Sequence, residues 1–222
     1  MRLPSNPKIS DSHRTTAVVL FAAAFLACWA AWAIFLVHHP LPPPLWPLRL
    51  VARVALFILP VLLYVRLALR EQPAHYLRLT NHVRRGIIFG LVGSLLPLAE
   101  LVWRSVKAKA FPQLPHSPDI WLNVILAAPL SEEILFRGLL FREFSRTSGA
   151  ILAAVYSSIL FATLHFPYWY FSHAKAGADL LRSLLMIFAI GLLCCFLTIQ
   201  SRSLIAPIVF HFLNNLSSSC TF

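Results

Sequence analysis

Charged residues are scarce in this chain, and acidic residues are the scarcest of them. Only 12% of the 222 residues are charged, and Asp and Glu together number 8. Soluble domains carry about 25% charged and roughly 45–50% apolar residues, whereas 59% of this chain is hydrophobic. A soluble fold of this size could not bury so much apolar surface, but a bilayer can solvate it. The composition therefore excludes an ordinary soluble protein and indicates an integral membrane protein.

Cysteine motifs and zinc motifs are absent as well. The four cysteines sit in or beside apolar runs without CxxC spacing, so we expect small apolar packing residues. No His-Glu-x-x-His motif of the zinc peptidases occurs. There is no internal repeat, and the Pro-rich stretch Pro40–Pro47 is the one compositionally biased segment.

Basic residues outnumber acidic ones, giving a formal net charge of +11. They flank apolar runs and are not interleaved with aromatics on a soluble domain. This placement indicates contact with anionic lipid rather than with nucleic acid, so the bilayer is the expected partner.

Apolar runs of about 20 residues predict membrane-spanning helices, because a helix satisfies its own backbone polar groups. The pattern predicts an all-α, polytopic transmembrane bundle of about seven spans. The first run carries no charge and is too long for a signal peptide, so we expect a retained anchor. The predicted spans are Ala17–Val37, Leu50–Leu69, Gly86–Trp103, 119–141, 149–166, 179–199 and 203–219.

Orientation follows from the distribution of Lys and Arg. With the N-terminus inside, eleven basic residues fall on the inner side, seven fall outside, and Arg137 lies within a span. We therefore predict a cytoplasmic N-terminus. Arg53 and Arg66 are expected to reach the headgroups from the ends of the second span.

Two adjacent glutamates and an arginine interrupt the fourth run, where residues 131–138 read Ser-Glu-Glu-Ile-Leu-Phe-Arg-Gly. Ionisable groups inside spans cost roughly 2.5–3.5 kcal/mol each, so they are candidates for function. Glu133 and Arg137 are four residues apart and should pair on one helix face. Glu132 points about 100° away and has no partner in its own helix. An unpaired carboxylate in low-dielectric surroundings accepts a proton readily, which suits a general base; the alternative is that both glutamates form inter-helix salt bridges.

Two further motifs follow on later spans. Phe161 and His165 stand four apart, and His165 alone would fit a hydrogen-bonded core histidine. His211 and Asn215 share a helix face and could donate hydrogen bonds to an oxyanion, complete a metal site with Glu and His, or form a polar helix contact. Because lipid rejects polar faces, we expect all three motifs to converge on one buried cavity.

Together, Glu-Glu-x-x-x-Arg, Phe-x-x-x-His and His-x-x-x-Asn in this order resemble the CPBP family of intramembrane proteases, the CAAX-processing and bacteriocin-immunity (Abi) type. The resemblance covers about residues 119–219, and residues 17–118 carry no matching motif. Together with the predicted spans, it divides the chain into a cytoplasmic tail (1–16), N-terminal membrane helices of unassigned role (17–118) and a catalytic helix bundle (119–219). It also implies location in a bacterial plasma membrane.

By this resemblance, Glu132 matches the catalytic glutamate and His165 the histidine that helps to activate water. Glu133 and Arg137 match the supporting pair, and His211 and Asn215 match the oxyanion-binding residues. The resemblance permits a glutamate mechanism without a cofactor, which we favour, or a zinc ion held by these same residues: Glu132, His165, His211 and Asn215.

The expected function is thus an endopeptidase that cleaves a membrane-embedded or lipidated peptide or protein. Two other functions fit the same pattern. One is a catalytically silent binding or immunity protein with the same fold, and the other is a small transporter that uses intramembrane Glu and His as a proton relay.

Overall fold

The computed structural model describes residues 11–222, except for the side chains of residues 11–13 and 43. The described residues form helices joined by turns, and their one extended pairing is an isolated bridge between Gln113 and Thr221. The predicted all-α polytopic bundle is confirmed. The helices are α1 (Asp11–His38), α2 (Pro47–Ala68), α3 (Pro73–Tyr76), α4 (Val83–Ala108), α5 (Ile120–Phe171), α6 (Gly177–Ser201) and α7 (Ile205–Ser219).

Prolines and one glycine shape the long helices. Wide π-type turns occur at Val54–Ile58 in α2 and at Ile120–Ala127 in α5. Each contains the residue four before a proline, Pro60 or Pro129, whose ring displaces that carbonyl. Helix α5 kinks at Gly149, where φ is 76° and ψ is 168°, a conformation open to glycine. The kink divides α5 into a first limb (120–148) and a second limb (150–171).

Five helices are long and apolar enough to cross a bilayer, whereas the sequence predicts seven spans. The two numbers differ because of α5 and α7. The fourth and fifth predicted spans correspond to the two limbs of α5, which are separated by the non-helical Gly149. Helix α7 has 15 residues, about 22 Å at 1.5 Å per residue, and is shorter than the roughly 30 Å hydrocarbon core. The chain is an integral membrane protein whose last helix does not cross by itself.

The first helix starts before its predicted span. Helix α1 begins at Asp11 and so includes part of the predicted tail 1–16. Arg2 and Lys8 of that tail lie outside the described residues. Arg14 is packed into the bundle, where it pairs with Glu143.

An aromatic core joins the two halves of the chain. Phe25 of α1 meets Phe57 of α2 edge-on at a centroid distance of 4.8 Å and Phe136 of α5 at 6.4 Å. Phe136 in turn contacts Phe161 at 5.3 Å. Aromatic pairs in such edge-to-face geometry add to the stabilisation from apolar burial. This core fixes α1 and α2 against the helix that carries the two glutamates.

Close packing of α4 against α7 positions the last motif. A Cβ on Gly90 would lie 2.7 Å from the Cβ of Val209, so a larger residue at position 90 would clash. The small residue lets the two backbones approach. Helix α7 is thereby held between α4 and the first limb of α5, with His211 directed into the bundle.

Candidate active site

Glu133 is the centre of a fully buried polar cluster. Its Oε1 lies 3.1 Å from Nη1 of Arg137, with both side chains at 0% exposure. The predicted i,i+4 pair is therefore present. Arg137 also donates to the carbonyl of Gly191 at 3.1 Å and stacks over the ring of Phe161 at 4.4 Å. These contacts stabilise a charge pair that would be costly to bury without partners.

His211 is oriented by the same carboxylate. Its Nδ1 lies 2.9 Å from Oε1 of Glu133. Since an ionised carboxylate only accepts hydrogen bonds, Nδ1 carries a proton and donates. Nε2 of His211 then faces Glu132, 3.9 Å from its Oε2. Glu133 thus fixes the imidazole so that its second nitrogen is directed at the neighbouring glutamate.

Glu132 has a partner from another helix, contrary to the expectation of an unpaired carboxylate. Nη1 of Arg53, on α2, lies 3.1 Å from Oε1 of Glu132, which is 5% exposed. The guanidinium also lies 5.7 Å from the ring centroid of Trp29 and 5.8 Å from that of Phe57. The expectation that Arg53 reaches the headgroups is therefore wrong, because a buried carboxylate attracts it inward. One oxygen of Glu132 is held by a cation, and the other faces His211.

Sequence reasoning missed Arg53 as part of this cluster. The signal was present: Arg53 is the seventh residue of α2, two turns inside an apolar span. An arginine at such depth requires a counter-ion. The identity of that counter-ion could not be read from the sequence, because Glu132 is 79 positions away.

His165 lies on the second limb of α5 beside this cluster. Its Nδ1 contacts the carbonyl of Phe161 at 3.0 Å, and its ring packs edge-on against the Phe161 ring at 5.2 Å. The same Phe161 ring packs edge-on against His211 at 5.8 Å, so the two histidines share one aromatic neighbour. Each histidine has one ring nitrogen that is not held by the backbone or by Glu133.

Asn215 is placed differently from the other predicted residues. Its Nδ2 donates to the carbonyl of Val124 at 2.8 Å, which ties α7 to the first limb of α5. An amide nitrogen has two hydrogens, so one donor of Asn215 is committed and one is left. The structure gives no direct contact between Asn215 and Glu132.

The arrangement does not fit the zinc site considered above. Among residues 11–222, no group of three or more His, Cys, Asp or Glu side chains is arranged to hold a metal. The cation beside Glu132 is the Arg53 guanidinium, and Glu133 is engaged by Arg137 and His211.

An apolar cavity of about 420 Å³ is formed by the same helices that carry the cluster. It lies between α2, the first limb of α5 and α7, on the faces of α5 and α7 that present Leu130 and Val209. Its lining consists of apolar side chains: Leu50, Leu122, Leu126, Ala127, Pro129, Leu130, Ile208, Val209 and Phe212. Such a wall can accept a hydrocarbon chain or an apolar peptide segment.

Comparison with known proteins agrees with the motifs. Residues 114–217 match the family described as type II CAAX prenyl endopeptidase Rce1-like. An Escherichia coli relative, an uncharacterized 24.3 kDa protein, is 30% identical over 135 residues, which cover 54% of this chain and 58% of the relative. The chain thus spans little more than half the length of that relative. No solved structure matches. This part of the chain, a little under half of it, is similar to the Rce1-like family of type II CAAX prenyl endopeptidases.

Proposed function

We propose that this protein is an intramembrane endopeptidase that hydrolyses a peptide bond of a membrane-associated protein or peptide. The observation that carries the proposal is the 3.9 Å separation of Glu132 Oε2 and His211 Nε2 in the buried centre of the bundle. This gap is too long for a direct hydrogen bond. A water molecule that accepts or donates hydrogen bonds at about 2.8 Å on each side fits between the two atoms.

Glu132 acts as the general base on this water. It takes one proton while the water oxygen attacks the carbonyl carbon of the scissile bond, and His165 helps to hold the water. The resulting tetrahedral intermediate carries its negative charge on the former carbonyl oxygen. Protonated Glu132 then gives its proton to the amide nitrogen as the C–N bond breaks, leaving a carboxylic acid and an amine.

The oxyanion is stabilised by His211 and Asn215. Because Nδ1 of His211 donates to Glu133, its Nε2 can donate only from an imidazolium. The charges of Glu132, Glu133, Arg53 and Arg137 sum to zero, so an imidazolium makes the cluster positive by one. That excess charge suits a transition state that gains a negative charge. The uncommitted amide hydrogen of Asn215 supplies a second donor.

The substrate is expected to have a strongly apolar segment beside the cleaved bond. The apolar cavity formed by α2, α5 and α7 offers such a segment a place, either as a lipid group on the peptide or as a membrane-embedded stretch. The family description names CAAX prenyl endopeptidases, whose substrates are prenylated chain ends. We further propose a bacterial plasma membrane with the N-terminus in the cytoplasm, in keeping with the distribution of basic residues.

The proposal is tested with Glu132→Gln protein in liposomes, using farnesylated peptides that end in a CAAX sequence. Removal of a general base should lower the cleavage rate by about 100- to 10,000-fold. Asn215→Ala should lower it by about 100- to 1,000-fold. The matched control is Glu100→Gln, since Glu100 is an exposed glutamate of α4 away from the cluster.

Comparison of membrane peptides from cells that carry wild-type or Glu132→Gln protein widens the search for substrates. Cleavage by Glu132→Gln at the wild-type rate would refute the mechanism. A wild-type protein that binds peptides without cleaving them would indicate the binding or immunity function. Proton-coupled solute uptake without any peptide product would indicate the transporter.

A further inference from the structure

A second cavity, which shares Arg137 with the candidate active site, is lined by arginines. It has a volume of about 420 Å³ and lies where the α2–α4 connection, the end of the first limb of α5 and the α6–α7 turn meet. Five guanidinium groups line it, and no carboxylate does. They belong to Arg78, Arg137, Arg142, Arg146 and Arg202.

Two of these arginines are already partnered. Arg137 is paired with Glu133. Arg142 donates to the carbonyl of Tyr76, and its guanidinium lies 4.0 Å from the centroid of the Tyr76 ring. Both are structural cations whose charge is balanced or whose donors are in use.

The other three guanidiniums, of Arg78, Arg146 and Arg202, have no ion pair or side-chain hydrogen bond among the described residues. The backbone fixes the positions of two of them, while Arg146 projects from helix α5. Arg78 and Arg202 have left-handed φ values of 56° and 60°, which are uncommon for residues with a Cβ. The amide of Leu204 donates to the carbonyl of Arg78 at 3.2 Å and so joins the two turns. Three unneutralised cations are thus held around one concave space.

The rest of the wall is apolar. Leu77 and Leu204 are buried and form part of its lining, and Ile199 lines it at 42% exposure. The neighbouring Ile151 is 82% exposed and marks an apolar outer surface beside the cavity. A free inorganic anion would use the arginines alone, whereas an amphipathic ligand would use both parts of the wall.

We propose that this cavity binds an anionic phospholipid, with its phosphate group against Arg78, Arg146 and Arg202. Guanidinium groups bind phosphate oxygens through paired hydrogen bonds. The acyl chains would leave along Ile199 towards the exposed apolar surface. By the positive-inside rule this end of the bundle faces the cytoplasm, and that leaflet is rich in anionic lipid. The lipid would hold together the turns that precede α4 and α7, and α7 carries His211.

The test uses the full-length protein with the triple substitution R78Q/R146Q/R202Q. Binding of phosphatidylglycerol is measured by native mass spectrometry and by the rise in melting temperature in detergent. The affinity of the triple variant for phosphatidylglycerol should fall by about tenfold or more, because each lost arginine weakens the interaction with anionic lipid. The matched control is R66Q/R70Q/R84Q, which removes three exposed arginines outside the cavity and should leave the affinity within about twofold.

Further binding measurements identify the ligand. An equal shift with phosphatidylcholine, or an equal loss in the control variant, would overturn the proposal. An equal shift with inorganic phosphate would show an anion site and not a lipid site. Loss of CAAX peptide binding by the triple variant in phosphatidylcholine bilayers, with phosphatidylglycerol binding unchanged, would assign the cavity to the C-terminal carboxylate of a peptide.

A milder variant covers the case in which the triple variant does not fold. Arg146 is exposed on the surface of α5, so R146Q alone should fold and should still weaken phosphatidylglycerol binding. Binding by the wild type should also decline steeply with salt. Lipid affinity that is unaffected both by R146Q and by salt would refute the proposal.

Discussion

The two halves of this chain contribute opposite charges to the contacts between them. Residues 11–118 carry no recognisable motif and lie almost entirely outside the family match, whereas residues 119–222 contain all three motifs. Yet every ion pair that the described residues form between the halves has its arginine in the first half and its carboxylate in the second. The pairs are Arg14–Glu143, Arg53–Glu132 and Arg49–Asp119.

The difference shows that the motif-bearing half is incomplete without the other. Three of its carboxylates, on Glu132, Glu133 and Glu143, are buried, and an uncompensated charge is unfavourable there. One of them, Glu133, is neutralised from within the same half by Arg137. Glu132 and Glu143 obtain their counter-ions from α2 and α1. The N-terminal helices therefore act as a source of positive charge for the C-terminal bundle.

The largest loss of stability is expected when the Glu133–Arg137 pair within the C-terminal half is broken. Arg137→Met leaves Glu133 charged and buried beside His211, which should lower the free energy of unfolding by about 3–5 kcal/mol. Unfolding in mixed detergent micelles measures this change. The loss of unfolding free energy in the double variant Glu133→Gln with Arg137→Met should be smaller than the sum of the losses in the two single variants. The reason is that neither charge is then buried without its partner.

The control for this measurement is Arg182→Met, because Arg182 is an exposed arginine of α6. It should change the free energy of unfolding by less than about 0.5 kcal/mol. Equal losses for Arg137→Met and Arg182→Met would mean that the buried cluster does not stabilise the bundle.

The next largest loss of stability is expected at the contact between α1 and α5. Glu143 accepts from Arg14 Nη2 at 2.9 Å and also from the hydroxyl of Tyr76. Burial raises the pKa of Tyr76, and the hydrogen bond to Glu143 raises it further, so the hydroxyl remains a donor at all physiological pH values. Glu143→Leu removes the common acceptor and should cost about 2–3 kcal/mol, because Arg14 is still 19% exposed and can be partly hydrated.

Glu71→Leu is the matched control, since Glu71 is exposed. Tyr76→Phe should cost about 1 kcal/mol, the value of a single hydrogen bond. A Tyr76→Phe loss as large as that of Glu143→Leu would show that Arg14 adds nothing, and that α1 is held by apolar packing alone.

The third prediction tests whether the N-terminal half takes part in catalysis. Arg53→Met should lower kcat of peptide cleavage by about 10- to 100-fold, because the Glu132 carboxylate loses the contact that fixes its orientation. KM should change little, since Arg53 does not line the apolar cavity. Arg53→Lys keeps the charge without the guanidinium geometry and should give an intermediate rate.

Arg49→Met is the control on the same helix, one turn away. It should leave kcat within about twofold, because Arg49 pairs with Asp119 and not with Glu132. If Arg53→Met cleaved at the wild-type rate, the first half would serve only as structural support.

Local sequence patterns predicted the elements and one contact of the site. Apolar runs located every long helix, and the four-residue spacing predicted the Glu133–Arg137 pair, because both depend on neighbours within a few residues. The spacing of His211 and Asn215 predicted a common helix face, although the structure uses one amide hydrogen of Asn215 to join α7 to α5.

Long-range contacts could not be predicted in this way. Arg53 and Glu132 are 79 positions apart, and Arg14 and Glu143 are 129 positions apart. Their pairing depends on how α1 and α2 pack on α5, which the aromatic core around Phe57 and Phe136 determines. Hydropathy located α7 closely, as 203–219 against the observed Ile205–Ser219, because this too is a local pattern.

The smallest loss of stability is expected at the most exposed of the three ion pairs between the halves. Arg49 and Asp119 lie 2.9 Å apart, but their side chains are 42% and 24% exposed, so water screens the attraction. Asp119→Asn should therefore cost less than about 1 kcal/mol, and 1 M salt should remove most of that difference. The same salt should leave the cost of Glu143→Leu nearly unchanged, since Glu143 is 2% exposed. If Asp119→Asn cost as much unfolding free energy as Glu143→Leu, burial would not determine the strength of these ion pairs. The positive charge of the first half would then act through the long-range electrostatic field and not through individual contacts.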